Sequence, residues 1–173
     1  YIDFLAGYRY DPSEVNITQQ DGKLSVSIEG YWYRTILWEV PLLALISELY
    51  FHETNPPILS ENQIRTNAEE KMSFYDSLGI KVSDFGTRRR YSYENHDIVI
   101  QELIKHKGTS FVGTSNVHFA HKYSISPIGT QAHEWFMFHA AKYGFKMATM
   151  FALEHWIDIY RGDLGIALSD TFT

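Results

Sequence analysis

The feature that most restricts the fold of this sequence is a series of short apolar runs in its second half, each ending on small polar residues. They cover 81–85, 110–112, 127–128 and 164–168. Their ends at Phe85, Val112, Ile128 and Leu168 are separated by roughly 27, 16 and 40 residues, each long enough for a helical crossover between parallel strands. The spacing predicts helices over 95–107 and 117–123, and a long helical region after Glu134. This alternation predicts consecutive β/α units of a parallel sheet or barrel.

The first half has a different rhythm. Residues 15–18 and 24–28 alternate apolar and polar side chains around Asp21-Gly22, which predicts a hairpin because Asp-Gly supplies the positive φ angles of a tight turn. Gly30 closes the second strand. A helix is predicted over 38–51, with Pro41 tolerated in its first turn and Leu42, Leu45, Ile46 and Leu49 on one core-facing stripe. Asn55-Pro56-Pro57 breaks the chain. Ser60-Glu61-Asn62-Gln63 then reads as a capping box opening a charged helix that stops at Leu78-Gly79. The expected organisation is an α/β protein: an N-terminal α+β domain segment over 1–79, then the first β/α units of a second domain over 80–173.

With 45% hydrophobic residues and many aromatics, the chain is of the folded globular class. A net charge of −6 argues against a general nucleic-acid footprint, so positive charge is used locally. There is no cysteine, which excludes disulfides, thiolate zinc sites and a cysteine nucleophile and is compatible with a cytoplasmic location. The most apolar segment, 36–51, contains Glu39, Pro41 and Glu48 and is too short and too charged to span a membrane. The sequence opens on Tyr1 without methionine and closes just after a strand-like run, so both domains are expected to be incomplete pieces of a longer protein.

Chemistry collects at the predicted strand ends. After Phe85 come Gly86-Thr87-Arg88-Arg89-Arg90; after Val112, Gly113-Thr114-Ser115-Asn116; after Ile128, Gly129-Thr130 and then His133; after Leu168, Ser169-Asp170-Thr171. Glycine followed by threonine lets backbone and hydroxyl approach a ligand closely. In β/α folds the carboxyl ends of the strands share the face where ligands bind, so Arg88, Ser115, Thr130, His133 and Asp170 are expected to converge. A histidine between a strand end and a helix N-terminus is well placed to handle phosphate. Arginine matches phosphate geometry, and Asp170 suits ribose hydroxyls or a magnesium-bound water. Together these groups suit a phosphorylated sugar.

Plainer roles exist for each: a solvated arginine run, helix caps for Asp170, Ser115 and Thr130, and an ordinary loop histidine. On an extended chain the three arginines alternate sides, so at most two reach one ligand, Arg88 first. His118/His121 and His133/His139 do not have zinc-helix spacing, and neither a P-loop nor a dinucleotide fingerprint occurs.

Four motifs, Asp84-Phe85-Gly86-Thr87-Arg88-Arg89-Arg90, Gly113-Thr114-Ser115-Asn116-Val117, Gly129-Thr130-Gln131-Ala132-His133-Glu134-Trp135 and Leu164-Gly165-Ile166-Ala167-Leu168-Ser169-Asp170-Thr171, together resemble nicotinate phosphoribosyltransferase of the bacterial type. Leu37-Trp38-Glu39-Val40-Pro41-Leu42-Leu43 resembles the N-terminal region of that family. The resemblance implies an irregular α/β barrel of the type II phosphoribosyltransferase kind, usually dimeric. It implies transfer of the phosphoribosyl group of phosphoribosyl pyrophosphate to nicotinate, giving nicotinate mononucleotide and pyrophosphate in NAD biosynthesis, coupled to ATP with Mg2+. It assigns His133 as the phosphorylated histidine, Arg88 to the phosphoribosyl substrate, Thr130 to a place beside nicotinate and Asp170 to the ribose hydroxyls. Ser115 replaces the aspartate that the related nicotinamide enzyme carries there, removing a charge that would repel a carboxylate. The family's nicotinate-stacking tyrosine, C-terminal arginine and glycine-rich phosphate loop have no counterparts in these 173 residues, so the isolated chain is expected to be inactive. Rival readings are a nicotinamide or quinolinate phosphoribosyltransferase, and a non-catalytic phosphosugar- or nucleotide-binding protein.

Overall fold

Asp21 and Gly22 take φ values of 51° and 75°, and the chain on either side pairs as β1 (Val15–Gln20) and β2 (Lys23–Ile28), antiparallel from Val15↔Ile28 to Gln20↔Lys23. The hairpin is thus built as its turn chemistry requires. The computed structural model describes residues 2–162, 167–168 and 171–172. The expected strand over 164–168 falls largely outside these residues, and Asp170 falls wholly outside them. The chain packs as two compact units, Tyr1–Pro127 and Ile128–Thr173.

In the first unit a short helix α1 (Ile2–Gly7) precedes the hairpin, and α2 (Trp32–Thr35) follows it. Neither was anticipated, each being too short to show a periodicity. Glu14 anchors this region, pairing with Arg34 and accepting from Trp38 Nε1 at 2.9 Å, while Arg34 lies 5.1 Å from the Tyr8 ring centroid. The expected helix over 38–51 is α3 (Glu39–Thr54), closed by Asn55 at φ 42°. Its apolar stripe is less buried than periodicity suggested: Leu45 and Leu49 are half exposed, and only Ala44 is fully buried. The contacts α3 makes with Arg90 and Tyr91 include polar groups and the Phe51–Tyr91 ring pair. Ser47 donates to the Arg90 carbonyl at 2.9 Å and Glu48 lies 3.5 Å from Arg90.

Ser60 and Gln63 form the predicted capping box at the start of α4 (Glu61–Leu78), and Gly79 ends that helix at φ 66°. The β/α units then follow. Strand β3 (Val82–Asp84) leads through a 3-10 turn (Thr87–Arg89) to α5 (Tyr93–Ile104); β4 (Phe111–Thr114) leads to α6 (Val117–Tyr123). Strands β3 and β4 are parallel. Pro127 makes one parallel bridge to Thr114, so the third apolar run contributes a single bridging residue and not a strand. Proline has no N–H to extend the ladder. Met72, Ile100, Phe111, Phe119, Ala120 and Ile125 form the core where α4, α5 and α6 cover this sheet.

The second unit is a helical hairpin. The helical region expected after Glu134 is two helices, α7 (His133–Tyr143) and α8 (Phe145–Tyr160), divided at Gly144, whose φ of 82° a helix cannot continue. Ala148 and Ala152 are fully buried and let the helices close on each other. Trp135 Nε1 donates to the Ala152 carbonyl at 3.0 Å, and His139 Nε2 lies 2.8 Å from His155 Nδ1. His139 is therefore a core histidine. No helix among the described residues is long and apolar enough to cross a membrane.

Candidate active site

The first unit joins two polar loops at the carboxyl ends of β3 and β4, and Asp84 is their common anchor. Its side chain is nearly buried. Oδ1 accepts from the Gly86 amide at 3.0 Å. Oδ2 accepts from Thr114 Oγ1 at 2.6 Å and from His96 Nε2 at 3.0 Å. The Asp84 carbonyl takes the Ser115 amide at 2.8 Å. Burial alone would raise the carboxyl pKa, but the hydrogen bonds from His96 and Thr114 outweigh it and hold Asp84 below the ordinary value. Two further bonds complete the link. Thr114 Oγ1 accepts from the Asn116 amide at 3.0 Å, and Asn116 Nδ2 donates to Thr87 Oγ1 at 3.0 Å.

Arg88 and Ser115 stand on these adjoining loops, as expected of neighbouring parallel strand ends. The arginines do not alternate sides as an extended chain would, because residues 87–89 form a 3-10 turn. Arg88 pairs with Glu39 and Arg90 with Glu48, both on α3. Arg89 is exposed and makes no ion pair among the described residues. Ser115 is half-buried and does not cap α6; Asn116 does, accepting from the Phe119 amide at 3.0 Å. That leaves the Ser115 hydroxyl without a hydrogen bond among the described residues.

Thr130 and His133 belong to the second unit. Thr130 is exposed and is not a cap, since α7 starts after Ala132 with no side-chain cap. His133 is the first residue of α7, at a helix end whose leading amides are uncapped by a side chain. Its Nε2 lies 2.8 Å from Glu134 Oε1, with the imidazole 43% exposed. Glu134 therefore does more than begin a helix: it fixes one ring nitrogen of its neighbour. Trp135 packs in the helical hairpin.

Sequence reasoning passed over Asp84, His96, Thr114 and Asn116 as site-forming residues. The available signal was Asp84 itself, a charge at the end of a strand otherwise set for burial, which demands several partners. His96 was hidden inside a predicted helix.

Parallel β/α units with an arginine and hydroxyl groups on adjoining strand ends define an α/β protein. The comparisons narrow that class. The nicotinate phosphoribosyltransferase (NAPRTase) family model matches residues 80–173, and the model of its N-terminal domain matches residues 1–47. The chain belongs to the nicotinate phosphoribosyltransferase family. It is 57% identical over 173 residues to a nicotinate phosphoribosyltransferase of Chromohalobacter salexigens and 49% identical to one of Desulforapulum autotrophicum, covering all of this chain and 44% of each relative. A crystal structure of nicotinate phosphoribosyltransferase from Porphyromonas gingivalis matches 99% of this chain and 44% of its own at TM-score 0.92 and 44% identity. A putative nicotinate phosphoribosyltransferase from Saccharomyces cerevisiae matches 91% of this chain and 42% of its own at TM-score 0.81 and 36% identity. The chain thus spans less than half the length of these relatives.

Proposed function

We propose that this chain is part of an enzyme that transfers the phosphoribosyl group of phosphoribosyl pyrophosphate to nicotinate, coupled to ATP hydrolysis, in NAD biosynthesis. The observation that carries the reading is the order of the family matches: residues 1–47 to the N-terminal domain, then 80–173, a span that includes all four strand-end motifs. In this reading residues 1–79 belong to an N-terminal α+β domain and 80–173 open an irregular barrel. The whole protein is a cytoplasmic homodimer, and the 173-residue chain alone is inactive.

The chemistry follows from the residues. The lone pair of a His133 ring nitrogen attacks the γ-phosphorus of ATP, the bond from that phosphorus to the bridging oxygen breaks, and ADP leaves. The partial positive charge of the α7 N-terminus favours the phosphate so received. In the transfer step the pyridine nitrogen of nicotinate bonds to the anomeric carbon as pyrophosphate departs with the bonding pair. The protein positions the reactants and balances charge. Arg88 serves the phosphoribosyl substrate, whose phosphate competes with Glu39 for the guanidinium. Thr130 lies beside nicotinate, and Asp170 takes the ribose hydroxyls. Ser115, uncharged and with its hydroxyl unclaimed, accepts the nicotinate carboxylate where an aspartate would repel it.

Magnesium finds no ready ligands on the described strand ends of the first unit: the Asp84 carboxylate already accepts three hydrogen bonds and Glu39 pairs with Arg88. Bound with the phosphates of the substrates, it would supply charge neutralisation.

The test is incubation of the whole protein with γ-labelled ATP, and turnover with nicotinate, nicotinamide and quinolinate. An acid-labile, base-stable label absent from His133→Asn, with preference for nicotinate, supports the reading. Preference for another pyridine, or ligand binding with no pyrophosphate release, sinks it.

A further inference from the structure

We infer that Asp84 is a positioning residue for the phosphoribosyl substrate: its carboxylate, held by His96, fixes the Gly86–Arg89 turn against the end of β4. The inference rests on the functional reading above, because it deepens the role of the same strand ends.

The argument begins with how the carboxylate divides its two oxygens. Oδ1 serves the loop after β3, through the Gly86 amide, and Oδ2 serves the end of β4, through the Thr114 hydroxyl. One rigid group thus sets the distance between two loops that are 30 residues apart in sequence. His96 closes the arrangement from α5, and its ring is itself held edge-on to Phe119, with centroids 4.9 Å apart and planes at 85°. His96 Nδ1 is buried and has no hydrogen-bond partner among the described residues, which selects the tautomer with the proton on Nε2, directed at Asp84. A bare lone pair costs less there than a stranded N–H.

Gly86 reports the same constraint. Its φ of −77° and ψ of −11° are open to any residue, so its need for glycine is spatial. A Cβ would sit 3.0 Å from Asp84 Oδ1 and 3.6 Å from His96 Nε2. The turn carrying Arg88 is therefore laid directly on the carboxylate. Ser115 is held differently, by the Asp84 main-chain carbonyl, which a side-chain replacement leaves in place. Losing the carboxylate should accordingly loosen both loops but weaken the phosphoribosyl side more, because the main-chain bond still holds Ser115 on the nicotinate side.

Asp84→Asn in the whole enzyme separates this from a general structural role. The new amide can keep the bond to Gly86 through its oxygen, and the Thr114 hydroxyl can turn to accept from its nitrogen, but that nitrogen also faces the His96 Nε2–H, donor against donor, so the charge and the bond that hold the shared anchor are lost. The expected result is affinity for phosphoribosyl pyrophosphate weakened by roughly tenfold, the scale of one lost charge-assisted hydrogen bond, with nicotinate affinity changed less than about twofold. Amide exchange should quicken together in residues 85–90 and 113–116 and not in α4. Thr114→Val, which removes only the hydroxyl, should move affinity in the same direction by less, and it serves as the test if Asp84→Asn does not fold. Unchanged affinity for phosphoribosyl pyrophosphate, equal weakening of both substrates, or faster exchange in one segment alone would overturn the inference. A wild-type enzyme that binds phosphoribosyl pyrophosphate but makes no nicotinate mononucleotide overturns the functional reading and not this one.

Discussion

His106 Nδ1 stands 2.5 Å from Asp76 Oδ2, and the opposite ring nitrogen stands 3.0 Å from Glu69 Oε2. One imidazole thus bridges two carboxylates of α4 from the turn that follows α5. Ser110 Oγ donates to the other oxygen of Asp76. The hydrogen bond to Asp76 raises the His106 pKa, burial opposes it, and Glu69 adds to the rise. Asp76 is lowered to about 2, by Ser110 first and His106 second. A raised histidine contributes stability that is complete below its unfolded value of about 6.5 and is lost as pH climbs through the folded value. A lowered aspartate contributes stability present above about 3.9 and lost as pH falls toward about 2. The melting temperature should therefore fall on the alkaline side of about pH 6.5, and His106→Asn should flatten that slope. An equal slope in the variant would show that other groups cause it.

Phe119 is fully buried in the core beneath β4 and contacts the rings of Tyr93, His96 and Tyr123. Phe119→Ala removes that packing and leaves a cavity that the surrounding helices cannot close, so a loss of about 3–5 kcal/mol is expected in denaturant unfolding. Phe119→Leu should cost clearly less.

Gly86→Ala tests the close approach of the arginine-bearing turn to Asp84. The added methyl would meet Oδ1 at 3.0 Å, forcing either the turn or the carboxylate to shift. A cost of about 1–3 kcal/mol in stability is expected from the overpacking. Weaker binding of phosphoribosyl pyrophosphate should accompany it. Calorimetry and substrate titration of the whole enzyme check the two effects separately.

Local chemistry explains what could be read from the sequence. The Asp21-Gly22 turn and the Ser60/Gln63 capping box each depend on residues within a few positions of one another, and both formed as expected. The parallel arrangement of 82–84 and 111–114 was legible from the length of the crossover. Burial was less legible: α3 has a helical stripe, yet Leu45 and Leu49 remain half exposed because spacing gives a face and not its partner. The placement of Arg88 and Ser115 on adjoining strand-end loops was legible, and the side chains that anchor those loops were not. Asp84, His96 and Thr114 meet only after β3, α5 and β4 have packed. The arginine run misled because its geometry was assumed extended, whereas the Arg89 amide donates to the Gly86 carbonyl at 3.1 Å and curls the turn.

The contact of His133 Nε2 with Glu134 Oε1 at 2.8 Å carries a prediction about regiochemistry. A carboxylate on one ring nitrogen holds the proton there and leaves the lone pair on the other, so Nδ1 is the nucleophile that phosphate should meet. Phosphorylation of the whole enzyme by ATP should give the Nδ1-linked phosphohistidine, identified from nitrogen-15 couplings in the NMR spectrum. Glu134→Gln keeps a hydrogen-bonding group but loses the charge that supports the growing positive charge on the ring. Its phosphorylation rate should drop by roughly tenfold to a hundredfold, at or below the lower limit of what a positioned acid or base contributes, because the hydrogen-bonding group is kept. Nicotinate affinity should be little changed. A product phosphorylated at Nε2 would mean that Glu134 releases the ring before reaction, and the positioning role would then fall to another group.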